Sequence, residues 1–256
     1  MYHYFGKVQN MKNVNSVDIV VPIYNEEKEL EVNIKKLHAF LRKKLSRRKW
    51  RITIVDNAST DNSLNIAKKL VKELSHVGFI HLVQKGRGRA VKKAWRESDS
   101  DILVYMDIDL STDLASLPNM ISALDGKYDI AIGSRLLAGS KVVGRPLKRE
   151  ILSRIYNIMI KIFFQVSFSD AQCGFKGVTR EVVKKLLPYI RDNAWFFDSE
   201  LLIVGEKAGY KIFEEPVLWV DNPGSTVRVL KTVYGDLAGL WRLYWQRPWL
   251  KIRRNK

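Results

Sequence analysis

Two aspartates one residue apart, Asp107 and Asp109, follow the apolar run Ile102-Leu103-Val104-Tyr105-Met106. If that run is a strand, its period of two points both carboxylates to one side and Ile108 to the other. Converging hard oxygens suit Mg2+ or Mn2+, which bind through one or two carboxylates and leave their other positions to water and phosphate oxygens. A nucleotide carrying a diphosphate is the expected companion of such a pair. A plainer reading makes the aspartates caps for the helix that Ser111-Thr112-Asp113 announces before Leu114.

Such a pair needs a scaffold, and the chain alternates strand and helix patterns. Residues 17–22 form a β-branched run ending in Pro22. A helix start follows at Glu26-Glu27, with apolar positions Leu30, Ile34, Leu37 and Leu41. Residues 51–55, 79–83, 101–106 and 129–132 read as further strands, separated by helical patterns over 64–74, 86–95 and 114–124. This predicts an α/β fold with a mostly parallel central sheet and helices on both faces. Ligands of such sheets bind beyond the carboxyl ends of the strands. Five polar clusters fall there and are expected to share one cleft: Tyr24-Asn25-Glu26, Asp56-Asn57, Gln84-Lys85-Gly86-Arg87-Gly88, the Asp107–Asp109 pair, and Gly133-Ser134-Arg135. Asp56 can accept a hydrogen bond from a base N–H. Gly86 and Gly88 open a helix whose first N–H groups favour phosphate, and Lys85, Arg87 and Arg89 add positive charge.

Forty-four Lys and Arg against 27 Asp and Glu give a formal charge of +17, so anionic partners are expected. Nucleic acid, phosphorylated small molecules and an acidic lipid surface all qualify. Cys173 is the only cysteine, which excludes an intrachain disulfide and a Cys-rich zinc site. No linker, repeat or low-complexity tract divides the 256 residues, so a single domain is expected over 1–256. The first residues lack the apolar core of an export signal, being interrupted by Lys7, Asn10, Lys12 and Asn13. No run reaches the roughly 18 apolar residues of a membrane span. Residues 152–168 nevertheless form a helix-length apolar stretch carrying Arg154 and Lys161. Residues 237–252 interleave Trp241, Tyr244, Trp245 and Trp249 with Arg242, Arg247 and Lys251. Aromatic and basic residues mixed in this way favour the lipid headgroup zone. Packing on the core or on a second subunit is the competing explanation, and it leaves room for a homo-oligomer.

The clusters resemble those of the family 2 glycosyltransferases of GT-A fold, over nearly the whole chain. Val21-Pro22-Ile23-Tyr24-Asn25-Glu26 is similar to the first-strand motif, Asp56-Asn57-Ala58-Ser59-Thr60-Asp61 to the second, and Asp107-Ile108-Asp109 to the DXD metal motif. Asn57 replaces the usual second aspartate of its motif. Gly133-Ser134-Arg135, Arg149, Ser153 and Asp170-Ala171-Gln172-Cys173-Gly174-Phe175-Lys176 resemble the polyprenyl-phosphate glycosyltransferases, the glucose enzymes more than the mannose ones. The resemblance implies that Pro22, Tyr24, Asn25, Glu26, Asp56, Lys85, Arg87 and Asp107 bind a nucleotide sugar, UDP-glucose before GDP-mannose. Asp107 and Asp109 would hold Mg2+ or Mn2+. Arg135, Arg149 and Ser153 would bind the phosphate of a polyprenyl or dolichyl acceptor, and Asp109, Arg135 and Arg149 would carry the catalysis. Asp198 and Glu200, in a segment similar to the family's Phe-Asp-x-Glu-Leu, and Ser225 are placed on the acceptor side. Thr226 stands where relatives carry a lysine, with Arg228 as its candidate substitute. Residues of about 15–135 would then form the donor half, and about 136–256 the acceptor and membrane-surface part.

The implied reaction is an inverting displacement by a lipid phosphate oxygen, with the protein peripheral to the cytoplasmic face of a membrane. An ionised phosphate makes a strong general base unnecessary. A GDP-mannose-dependent dolichyl-phosphate mannosyltransferase is the nearest alternative. A glycan-hydroxyl acceptor would require Asp198 or Glu200 as base. Nucleic-acid binding has only the charge in its favour, without a recognition motif.

Overall fold

In the computed structural model the described residues are 16–221 and 229–252, with side chains in the last helix from Val233 onward. The chain opens with β1 (Ser16–Ile23), α1 (Leu30–Lys44), β2 (Lys49–Asn57), α2 (Ser63–Glu73), β3 (Val77–Leu82), α3 (Arg87–Glu97) and β4 (Ile102–Met106). A short 3-10 turn leads to α4 (Leu117–Asp125), β5 (Ile130–Ser134), β6 (Lys141–Val143) and α5 (Leu147–Phe164). Then come β7 (Phe175–Thr179), α6 (Arg180–Lys185), α7 (Phe197–Lys207), β8 (Ile212–Pro216), β9 (Leu218–Val220) and α8 (Val229–Gln246).

Seven strands form one sheet in the order β3-β2-β1-β4-β7-β5-β8, and β6 pairs with β9 in a second, two-stranded sheet. Strands such as β4 are buried along their whole length, so they read as continuous apolar runs rather than alternating ones. One face is covered by α1, α2 and α4 through Leu30, Ile34, Leu37, Leu70 and Leu117, the other by α3 and α5–α8 through Trp95, Ile160, Phe197 and Leu243. The expected strands and helices on both faces are therefore present.

Sequence patterning stops at the fifth strand and misses β6 to β9, of which β7 matters most to the site. It runs antiparallel between β4 and β5, with Phe175 opposite Met106 and Lys176 opposite both Tyr105 and Ile132. The chain reaches it from the carboxyl edge of the sheet, where β5 and the following excursion through α5 leave it, so it must enter running backward. Its five residues include a lysine and a glycine, which hides it from a search for β-branched runs.

Two helix limits also differ from expectation. The helix expected over 152–168 begins five residues earlier, at Leu147, and ends at Phe164, where Gln165 takes the left-handed conformation. The stretch 237–252 is not one helix. It breaks at Arg247, which is left-handed, because Pro248 disfavours helical geometry in the residue before it.

Candidate active site

The aspartate pair sits where β4 ends, but in a turn rather than in the strand. Met106 is the last strand residue, Leu110 N donates to the Asp107 carbonyl, and Leu110 is left-handed. The alternation survives this change: Ile108 is buried in the core, while Asp107 and Asp109 both line a shallow pocket with Ser111, Thr112, Gly174 and Trp219. The capping role falls elsewhere. Asp113 accepts from Ala115 N and caps the 3-10 turn, whereas Asp109 accepts from Ser111 N at 3.0 Å and from Ser111 Oγ at 2.7 Å.

Gly174 fits the pocket tightly. Asp107 N donates to its carbonyl at 3.2 Å, and a Cβ at this position would fall on the Asp107 carboxylate and within 2.5 Å of Arg87 Nη2. The antiparallel entry into β7 thus explains how a motif near residue 172 reaches an acidic turn 65 residues earlier. The donor set fits a hard divalent cation, with two carboxylates and the hydroxyls of Ser111 and Thr112 around one pocket. Among the described residues no cluster of three or more His, Cys, Asp or Glu could hold a metal, so further ligands would come from water and substrate.

Asp107 is already countered from inside. Arg87 Nη2 lies 2.7 Å from its Oδ1, and Arg87 Nε lies 3.9 Å from Asp198 Oδ2. The Arg87 guanidinium also stacks over Trp195, 4.7 Å from the ring centroid. Burial raises the Asp107 carboxyl, and Arg87 opposes that rise. Below them Lys176, fully buried, donates to the Cys173 carbonyl at 2.6 Å and lies 2.9 Å from Asp198 Oδ1, which also accepts from the Tyr105 hydroxyl. Burial lowers the Lys176 ammonium and raises the Asp198 carboxyl, each to about 7. Asp198 therefore serves under the pocket floor and not on an open acceptor side. Glu200 is likewise internal: it accepts from Asp192 N at 2.7 Å and from Arg242 at 2.8 Å, tying α7 to α8.

The first-strand cluster forms the opposite wall. Asn25, left-handed, accepts from Thr60 N at 2.8 Å, and Glu26 N donates to Ser63 Oγ, so this loop is stitched to the end of β2. Pro22 lies near the end of β1, in register with Val55. The Lys85 ammonium sits 3.2 Å from the Tyr24 ring centroid. Burial, then the charges of Glu29, Asp109 and Asp107, raises Glu26 to about 7, so this carboxyl feels the acidic turn across the cleft. Asp56 is buried, with His81 Nδ1 2.6 Å from its Oδ2.

The glycine-led helix departs from expectation. Its first amides are taken: Gly86 N donates to Asn57 Oδ1 at 2.7 Å, Gly88 N to the Ala194 carbonyl and Arg89 N to the Asn193 carbonyl, both at 3.1 Å. The glycines admit this loop and the start of α7, since a Cβ on Gly86 would fall on the Asn193 carbonyl and one on Gly88 would lie 2.6 Å from Phe197 Cβ. Asn57 gains a positioning role that its motif left open. The loop lies more than a hundred residues away in sequence, so no local signal could reveal it.

The basic residues beyond β5 divide by environment. Arg135 is nearly buried and bound at two points to Asp170, Nε to Oδ2 at 2.7 Å and Nη2 to Oδ1 at 3.0 Å, which holds Asp170 well below the usual carboxylate range. Its guanidinium and that of Arg145 both lie over Trp219, at 5.5 and 5.7 Å. Arg149 stays open, its side chain 38% exposed and 3.5 Å from Asp221. Ser153 points inward, its hydroxyl buried without a partner, and so does not present itself to solvent. Ser225, Thr226 and Arg228 lie outside the described residues.

Outward from Arg149, α5 exposes Ile151, Leu152, Ile155, Ile158, Ile162 and Phe163 while burying Tyr156 and Ile160. Ile162 is 70% exposed, and on the neighbouring α8 Trp241 is 66% exposed. Packing on the core thus accounts for only one face of each helix. No helix among the described residues is long and apolar enough to cross a membrane.

Comparison with known proteins follows the same lines. The profile of the family described as Glycosyl transferase family 2 matches residues 18–187. The glycosyltransferase AglD of Haloferax volcanii is 32% identical over 232 residues, covering 90% of this chain and 37% of that protein. The dolichyl-phosphate beta-glucosyltransferase of Saccharomyces cerevisiae is 29% identical over 228 residues, covering 82% of this chain and 68% of its own. This chain therefore spans little more than a third of the first relative and about two thirds of the second. Glucosyl-3-phosphoglycerate synthase from Mycobacterium tuberculosis, solved with Mn2+, UDP-glucose and phosphoglyceric acid, superimposes with a TM-score of 0.65 at 13% identity, over 90% of this chain and 79% of that one. At that identity the likeness is one of fold, and the GT-A arrangement expected from the sequence is the one observed.

Proposed function

The chain belongs to glycosyl transferase family 2, and from that premise we propose that it transfers glucose from UDP-glucose to a polyprenyl or dolichyl phosphate. The observation that carries this reading is on α5, where an open arginine, Arg149, stands on the same helix as a row of exposed isoleucines. An anionic head joined to a long apolar tail is the ligand such a surface fits. Relatives named dolichyl-phosphate beta-glucosyltransferase support glucose over mannose.

Asp107 and Asp109 would hold Mg2+ or Mn2+, which when bound neutralises charge developing on the departing diphosphate. The first-strand loop, Tyr24 with Lys85, and Asp56 would line the nucleotide. Arg149 would orient the acceptor phosphate, and Arg135, locked on Asp170, would fix the loop that carries Gly174. One phosphate oxygen forms the new bond to the anomeric carbon as the bond to the nucleoside diphosphate breaks, so a single displacement inverts that carbon. The ionised phosphate needs no strong base, which agrees with the internal placement of Asp198 and Glu200. A glycan-hydroxyl acceptor would need one of them free.

The exposed apolar faces of α5 and α8, with Arg154 and Lys161 on α5 beside them, support peripheral attachment to an anionic membrane surface, on the cytoplasmic face where nucleotide sugars are met. Residues 1–256 would act as one unit, with its donor part over about 15–135. Offering a panel of UDP- and GDP-sugars with a short polyprenyl phosphate and Mn2+ or Mg2+ tests the proposal. A lipid-linked glucose phosphate is expected, and a mannose product would move the donor to GDP-mannose.

A further inference from the structure

One buried carboxylate has no part in the mechanism above. Asp236, on the first half of α8, is 5% exposed, and among the described residues it is in no ion pair. Its hydrogen-bond partner is Gln172 Nε2, at a long 3.4 Å. The charged groups that face it are two more carboxylates, Asp192 and Asp198, and burial with Asp192 raises Asp236 to about 7. A carboxylate taken out of water beside a like charge and held by one weak bond destabilises the fold, so its place calls for a reason.

Gln172 supplies that reason by its position. Its backbone is fixed by Asp170 Oδ1, which accepts from Gln172 N at 3.0 Å, and by Asn157 Oδ1, which accepts from the preceding Ala171 N at 2.8 Å. Two residues on, Gly174 lies against Asp107 and Arg87. The Gln172 side chain is half-buried, and one long hydrogen bond leaves its carbonyl and an N–H unused. An amide and a carboxylate side by side, one giving and one accepting, match the adjacent hydroxyls of a sugar ring. Arg87, paired with Asp107, stacks on a half-exposed Trp195.

We propose that Gln172 and Asp236 form a sugar-reading pair, which binds hydroxyls of the transferred hexose next to the Asp107–Asp109 turn. The proposal deepens the reading of the site as a nucleotide-sugar pocket and rests on it. It also gives α8, whose outer face is apolar and aromatic, an inner face that closes over the donor sugar.

The test is calorimetric binding of UDP, UDP-glucose and its epimer UDP-galactose with Mn2+, to the wild type and to Asp236→Asn and Gln172→Ala. Because a site that hydrogen-bonds a hydroxyl rejects analogues that misplace it, the wild type should prefer UDP-glucose by about tenfold or more. Both variants should bring that preference to about twofold or less while still binding UDP, since the lost contacts are to the sugar. A wild type without preference, or folded variants that keep it, overturns the pair. A wild type that binds none of the three overturns the donor reading itself and the pair with it. Gln172→Ala, at a half-buried position, keeps the test open if Asp236→Asn does not fold.

Discussion

The acidic turn at 107–109 and the outer face of α5 are built on opposite terms. At the turn every charge is met from within: Arg87 stands on Asp107, Ser111 on Asp109, and Lys176 with Asp198 lies beneath. Outward on α5, Ile151, Ile155, Ile158 and Ile162 are exposed, with nothing among the described residues covering them. The first region is a preorganised polar site whose cost of assembly is met during folding. The second is a row of exposed apolar side chains along one helix, the kind of surface on which interaction sites are built. On the proposed reading, the donor side takes its polar partners from the fold itself, whereas the acceptor side would be completed by what docks there.

Breaking the turn should have the largest effect. Asp109→Asn keeps the size of the side chain but removes a charged ligand, and transfer should fall by more than the roughly 10- to 100-fold typical of residues that only support a ligand. Steady-state rates with an unchanged thermal midpoint would check this. Gly174→Ala comes next: its new methyl would fall on the Asp107 carboxylate, and displacing a reacting group by about 1 Å costs up to about 100-fold. Mn2+ titration should show weaker binding in that variant.

The outer face should respond differently. Ile158→Glu combined with Ile162→Glu should lower association with anionic vesicles about tenfold or more, since each buried aliphatic side chain is worth about 1.5–3 kcal/mol. UDP-glucose affinity should stay as it was, because neither residue approaches the turn. Loss of both properties together would erase the contrast.

The smallest effect concerns pH. The Asp236 carboxyl is raised from 3.8 to about 7 by burial and Asp192, so the folded protein keeps a proton that the unfolded chain has released. Stability from this group is present at low pH and declines as pH rises between those values. Thermal midpoints of Asp236→Asn should decline less across that window than those of the wild type.

How much of this was legible in the sequence depended on how local each feature is. The β-branched runs of β1 and β2 and the DXD spacing are local, and they marked both the sheet and its carboxyl edge. The aspartate pair converged as expected, although through a turn rather than strand pleating, because Ile108 is still drawn into the core. What failed was distant. The glycines of α3 look like a phosphate loop until the 193–194 carbonyls occupy its amides. Arg135 and Arg149 look alike until Asp170 claims the first. Trp219 carries no motif, and the bridge from Thr112 brings it to the pocket.

The central claim is that the acidic turn and the open arginine of α5 serve one reaction, in which a sugar passes from a nucleotide to a lipid phosphate. Its most direct test is to follow labelled glucose from UDP-glucose into organic-extractable product with a short polyprenyl phosphate, first with Mn2+, then with excess chelator, then with Mn2+ restored. Labelled lipid that disappears with chelator and returns with the metal is the predicted result. Equal turnover in chelator, or label appearing only on water-soluble glycan, would contradict it.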